Sequence, residues 1–277
     1  MERADRTNSL SAPLGGAARS RGAAVAACGI AFMAKASAPG RTKTRLVPPL
    51  THEEAAALNT AFLKDVAANL LLAAERAGIA GYAAYGPPGS EDFFRRTLPP
   101  DIALIDAWLP NFGDCLLHTC QQIFARGHAA AVVINADSPT LPTALLVETA
   151  EVLAQPGDRA VLGPSSDGGY YLLGLKTAHR RMFEDIAWST ERVAAQTVER
   201  ACEIGLDLHV LSLWYDVDDG DTLGRLRAEL DGPAAEGTET HRPHRAPHTA
   251  ALLRDFSQGL PFGRRTERPA PDARKAG

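Results

Sequence analysis

Short apolar runs alternate with longer stretches of helical periodicity along most of this chain. Val25 to Phe32 is almost continuously apolar and reads as a buried strand. Glu53 to Ala77 places Leu58, Phe62, Val66 and Leu70 at helical spacing. Gly81 to Tyr85 and Ile102 to Ile105 read as short strands, and Asp114 to Arg126 as a helix. Ala129 to Asn135 is apolar throughout its centre and β-branched there, as a strand buried on both faces should be. Leu145–Leu153, Glu191–Ile204 and Thr222–Leu230 are helical, while Ala160–Leu162, Tyr170–Leu175 and Leu208–Leu213 are strand-like. Strands alternating with helices predict βαβ units: an α/β fold, three layers deep, around a mainly parallel sheet. One domain over residues 23–230 accounts for the pattern.

The flanks differ. Residues 1–22 are rich in Ser, Arg, Ala and Gly and predict a disordered extension. Residues 231–277 form a tail rich in Pro, Arg and His, in which Thr249 to Phe256 has room for one short helix. A chain without residues 1–22 and everything after Leu230 is expected to fold. His241, His244 and His248 lie close in sequence, but Pro243 and Pro247 disfavour a helix that would align them, so a solvated linker is expected there.

Composition narrows the function classes. The chain is 45% hydrophobic and 22% charged, with a net charge of -4. That balance argues against a general nucleic-acid binder, which needs a basic face. No run approaches the roughly 18 apolar residues of a membrane span. Cys28, Cys115, Cys120 and Cys202 are scattered without C-x-x-C spacing, as small hydrophobes of a reducing cytoplasm would be.

Candidate chemistry collects where predicted strands end. Lys35, Arg41, Lys43 and Arg45, with Pro39-Gly40 between them, leave the carboxyl end of the first strand. In open α/β sheets ligands bind just outside the carboxyl ends of strands, and cations gathered there suit phosphate. The loop is neither G-x-x-x-x-G-K-[ST] nor G-x-G-x-x-G, so a phosphate site here depends on side-chain cations. Asp137 directly follows the strand Ala129–Asn135. It is placed either to hold Mg²⁺, which takes one or two carboxylates plus substrate phosphates, or to cap the helix starting near Pro142. Asp216 and Asp218 follow the strand Leu208–Leu213 and share one face if the backbone is extended. Asp219 and Asp221 suit the start of the next helix. Asp167-Gly168-Gly169 permits positive φ and close backbone approach to a ligand, and is equally a tight turn between two strands.

Taken in order, Lys35-x-x-x-Pro39-Gly40-x-x-Lys43-Thr44-Arg45-Leu46, Asp137-Ser138-Pro139, Gly163-Pro164 with Asp167-Gly168-Gly169-Tyr170-Tyr171, Ile186-x-Trp188-Ser189-Thr190 and Asp216-Val217-Asp218 resemble a known family. The chain is similar to the GT-A-like nucleotide-diphospho-sugar transferase superfamily. Within it, the match is to the bacterial DUF2064 group, also termed rSAM/selenodomain-associated transferase 1, with phospholactate guanylyltransferases as relatives. The resemblance implies a GT-A-like fold, a transferase, and Mg²⁺ or Mn²⁺. It implies a nucleoside triphosphate or nucleotide sugar, with a small-molecule acceptor. Carried over by position, it makes Lys35, Lys43 and Arg45 catalytic phosphate contacts and Asp137, Asp216 and Asp218 metal ligands. Pro39, Gly40, Arg41, Thr44, Asp167, Gly168, Gly169, Tyr170, Trp188, Ser189 and Thr190 would line the nucleotide or substrate. Nucleotidyl transfer to a phosphorylated acceptor is expected. Glycosyl transfer is the alternative, weakened because Asn135-Ala136-Asp137 is not a D-x-D.

Overall fold

The computed structural model describes residues 26–232 and 242–257. Seven strands form one sheet in the order β3-β2-β1-β4-β6-β5-β7. They are β1 (Cys28–Lys35), β2 (Ile79–Gly86), β3 (Ala103–Asp106), β4 (Ala130–Ile134), β5 (Arg159–Pro164), β6 (Tyr170–Leu175) and β7 (Asp207–Val210). All pairings are parallel except those of β6, which runs antiparallel to both β4 and β5. The expected mainly parallel sheet is present. The reversal at β6 follows from the five-residue turn 165–169, too short for the crossover that a parallel neighbour requires.

The helices are α1 (His52–Ala74), α2 (Glu91–Thr97), α3 (Phe112–Ala125), α4 (Thr143–Ala154), α5 (Val193–Glu203), α6 (Gly220–Asp231) and α7 (Pro247–Ser257). The period-two alternation of strands divides the core into layers. Ile30 and Phe32 of β1 and Val132 and Ile134 of β4 pack with Leu63, Leu70, Leu145 and Leu153 on the α1/α4 side. Ala31, Ala131 and Val133 face Leu116, Cys120, Ile123 and Ala201 on the α3/α5 side. Every residue of β4 is buried, as its unbroken apolar run requires. Helix α1 starts at a capping box, in which the Thr51 hydroxyl accepts from Glu54 N–H and the Glu54 carboxylate from Thr51 N–H. It is long and apolar enough to cross a membrane, yet 67% of its apolar window is buried inside the protein.

A third cluster joins Leu46, Leu58, Phe62, Tyr215, Val217, Leu223, Leu226 and Leu253. Its last member belongs to α7, so the packed unit continues beyond Leu230. Asp65 of α1 is fully buried and accepts from the backbone N–H groups of His248 (3.0 Å) and Thr249 (2.7 Å). It caps α7 in place of a side chain of α7's own. The solvated linker expected at 241–248 is corrected at His244, which is 8% exposed. Its backbone N–H donates to Thr140 O and its ring bonds Pro139 O. His241 lies outside the described residues, as does the extension 1–22.

Candidate active site

From β1 the chain winds outward to β2 and β3, then returns to place β4 on β1's other side. The strand order therefore reverses between β1 and β4. The crevice outside the carboxyl ends at such a reversal is where α/β sheets bind ligands, because the two flanking loops diverge there. Lys35 ends β1 and Asp137 lies three residues past β4. A cleft of about 300 Å³ opens between them, lined by the basic loop, Met33, Asn59, Asp137 and Asp218. A larger depression of about 1080 Å³ lies by α4, lined by Leu72, Glu148 and Arg242 among others. It borders residues outside the described set and gathers none of the strand-end acids.

The basic loop has a defined shape. Arg41 N–H donates to Ala38 O, closing the Pro39-Gly40 turn, with Gly40 at φ 70°. The buried Thr42 hydroxyl donates back to Ala38 O. Leu46, fully buried, anchors the loop in the third cluster. Asn59 of α1 donates to Lys35 O (3.1 Å) and to Ser37 Oγ (2.8 Å), so the helix pins the end of β1. Lys35, Arg41 and Arg45 are exposed, whereas Lys43 is not. Lys35 and Arg41 make no ion pair among the described residues, and Arg45 reaches Asp218 only at 3.6 Å.

Lys43 turns inward. Its Nζ lies 2.7 Å from Asp137 Oδ1, 2.7 Å from Val217 O and 3.1 Å from Asp218 Oδ1. The Phe62 ring is 5.3 Å away and the side chain is 5% exposed. All three of its donors therefore have a partner, none of them evident in the linear sequence. Asp137 and Asp218, 81 positions apart in sequence, converge on one ammonium. Asp137 caps no helix, since α4 begins six residues later without a side-chain cap. Instead its backbone carbonyl accepts from Val217 N–H and its neighbour Ser138 donates to Tyr215 O, which ties the loop after β4 to the strand-end segment 215–218. Asp219, as expected, caps α6 by accepting from Thr222 N–H.

Asp216 does not join the other two acids. Its Oδ1 accepts from Ser165 Oγ at 2.6 Å, and no group of three metal-ligating side chains exists among the described residues. Burial pushes the Asp216 carboxyl above the ordinary carboxylate range, opposed by that hydroxyl and reinforced by Asp167 and Asp218 nearby. A divalent cation fits the remaining donors: two carboxylates and the Val217 carbonyl are hard oxygens, and Mg²⁺ takes one or two carboxylates plus phosphate.

The β5–β6 turn stands beside Asp216. Asp167 Oδ1 accepts from Gly169 N–H at 2.8 Å. Gly168 has φ 88°, and a Cβ there would lie 2.1 Å from Glu191 O, so only glycine fits. Tyr170 packs on Trp188, which packs edge-on against Phe112. The Tyr170 hydroxyl is buried without a partner among the described residues, and burial raises its pKa. Thr190 donates to Ala187 O, shaping the approach to α5, and Ser189 adopts a left-handed backbone (φ 63°). Thr44 is exposed in the basic loop. Sequence reasoning missed Asn59, which lies inside α1 and meets Lys35 O and Ser37 Oγ only once the helix packs on β1, and Ser165, whose partner Asp216 lies 51 positions away.

Residues 70–190 match the family model DUF2064, described as an uncharacterized protein conserved in bacteria. The DUF2064 resemblance holds. A protein from Desulfovibrio desulfuricans G20, provisionally assigned as a nucleotide-diphospho-sugar transferase, superposes with a TM-score of 0.71 at 26% identity. The alignment covers 84% of this chain and 96% of that one. A cytidylyltransferase from Leptospira borgpetersenii is 8% identical, with a TM-score of 0.49 and coverage of 84% and 94%. A Mycobacterium tuberculosis H37Rv protein solved with manganese is 18% identical, with a TM-score of 0.39 and coverage of 72% and 96%. At those scores the last two support no inference about this chain. A comparison with curated proteins found no match. The superposition shows that this chain shares the fold of the Desulfovibrio protein.

Proposed function

We propose that this chain is a metal-dependent nucleotidyltransferase, joining a nucleoside monophosphate from its triphosphate to a small phosphorylated acceptor. The observation that carries this reading is the single cleft at the β1/β4 reversal. Three exposed cations and a convergent acid pair line it together. A triphosphate carries about four negative charges, which matches that combination better than a neutral ligand would.

Lys35, Arg41 and Arg45 hold the phosphate chain and oppose the charge that builds on the leaving pyrophosphate. Asp137 and Asp218 would hold Mg²⁺ or Mn²⁺, which supplies further neutralisation of phosphate oxygens when bound. An acceptor phosphate oxygen attacks the α-phosphorus, and the bond to the β-phosphate's bridging oxygen breaks. Positioning does most of the work, because the reactants need no nucleophile from the protein. The Asp167-Gly168-Gly169 turn and the Tyr170–Trp188 pair, beside Asp216, would receive the acceptor. The free cysteines suit a cytoplasmic location.

Glycosyl transfer from a nucleotide sugar is the second reading, favoured by the assignment of the Desulfovibrio relative. One assay separates the two. The purified protein is incubated with Mg²⁺ and each nucleoside triphosphate over a panel of phosphorylated acceptors, scoring pyrophosphate. A parallel panel of nucleotide sugars is scored for released nucleoside diphosphate. Acceptor-dependent pyrophosphate supports nucleotidyl transfer. Nucleoside diphosphate release alone selects the second reading, and neither product rejects both.

A further inference from the structure

The acid pair of the cleft already holds a cation of the protein's own. The Lys43 ammonium has three donors, and each meets one oxygen: Asp137 Oδ1 at 2.7 Å, Val217 O at 2.7 Å and Asp218 Oδ1 at 3.1 Å. The Phe62 ring lies 5.3 Å from the ammonium, and the Lys43 side chain is 5% exposed while the two acids remain about one-third exposed. These same three oxygens are the hard donors that fit a divalent ion. Two cations cannot share them, since like charges a few ångströms apart in a half-buried site repel strongly. Lys43 also holds a left-handed backbone (φ 52°, ψ 38°), unusual for a residue with a Cβ. Such a conformation persists where its surroundings over-determine it, and here the surroundings are the buried Thr42 and Leu46 and the ammonium's triple anchorage.

We infer that Lys43 is an exchangeable internal counter-ion. In the free protein it neutralises Asp137 and Asp218. When a divalent ion arrives with a triphosphate, Lys43 yields both carboxylates and turns its ammonium outward to the phosphate oxygens. The exchange rests on the proposed metal site and extends it: the protein binds free metal poorly and takes the metal–triphosphate complex as one ligand, because only the phosphates compensate Lys43 for the acids it gives up. Without Lys43 the acid pair would keep only the exposed Arg45 at 3.6 Å from Asp218, repel, and bind any divalent ion that diffused in.

The test uses Mn²⁺ alone on the full chain, with free ion read by electron paramagnetic resonance. Lys43→Met keeps the apolar stem against Phe62 and removes the charge. It is expected to bind Mn²⁺ at least tenfold more tightly than wild type, and adding Asp137→Asn should abolish that gain. Equal or weaker Mn²⁺ binding by a folded Lys43→Met protein overturns the exchange. Equally tight binding by both proteins, lost with Asp137→Asn, overturns the exchange while leaving the metal site standing. No binding by either overturns both. If Lys43→Met does not fold, wild type carries the test through reductive methylation of Lys43, read by peptide mass spectrometry. Labelling should rise several-fold at Mn²⁺ concentrations that fill the site. Unchanged labelling at a filled site overturns the proposal.

Discussion

Replacing Asp65 with alanine is expected to lower stability by about 2–3 kcal/mol, although the residue lies in no cleft. Asp65 accepts from two backbone N–H groups at the start of α7, 3.0 and 2.7 Å away, and is itself fully buried. Hydrogen bonds to charged groups contribute roughly 1.5–3 kcal/mol each, and loss of an ordinary N-cap costs about 0.5–2 kcal/mol. Removing the carboxylate also relieves its own desolvation, which offsets part of the loss. For a domain of this size each kcal/mol moves the melting temperature by roughly 2–4 °C, so a fall of about 5–10 °C is expected. Thermal denaturation followed by circular dichroism measures it. Hydrogen exchange should localise the damage, with residues 248–257 losing protection before the sheet does. The effect should reach the cleft, because His244 leads into α7 and holds Pro139 and Thr140, just past Asp137. A melting temperature within about 2 °C of wild type, with 248–257 still protected, would refute the argument that this buried carboxylate docks the helix. A chain cut after residue 230 should likewise lose stability rather than fold unchanged.

Gly168→Ala should cost about 2–4 kcal/mol, since φ 88° and a Cβ 2.1 Å from Glu191 O force the turn to move; an unchanged urea midpoint would count against it. Asp216→Asn should stabilise the protein at neutral pH. The folded carboxyl titrates above its unfolded value of ~3.9, so the native state binds the proton more tightly and wild-type stability falls as pH rises through that window. The variant's advantage should therefore shrink below pH ~4, and a pH-independent difference would exclude titration as its cause. Burial lowers the pKa of His244, so wild type should lose stability as pH falls below ~6.5; a His244→Gln protein showing the same acid loss would reassign it. Replacing both Lys35 and Arg41 with alanine should weaken triphosphate binding by roughly tenfold or more without altering the melting temperature, because neither makes an ion pair among the described residues; unchanged affinity by calorimetry would return the loop to solvated surface.

The elements themselves were legible in the linear chain wherever one period dominates. The unbroken apolar run at 129–135 became β4, and the helical spacing of Leu58, Phe62, Val66 and Leu70 became α1. Strand ends carrying Lys35, Asp137 and Asp218 marked the cleft, because a mainly parallel sheet sends those ends to one edge. The short α2 escaped, as Glu91–Thr97 offers barely two turns and an all-round mixture of charge and phenylalanine. Only the folded chain decided which charges meet. Lys43 and Arg45 are near neighbours in a run of cations. One is held between Asp137 and Asp218, 94 and 175 positions away, and the other faces solvent. Asp65 looks like any acid on a helix until α7, more than 180 positions later, sets its first turn against it. Periodicity is a property of neighbours along the chain, so sequence carries it directly. The partner of a buried charge depends on how loops of a hundred residues close, and that is settled by the packing of the whole domain.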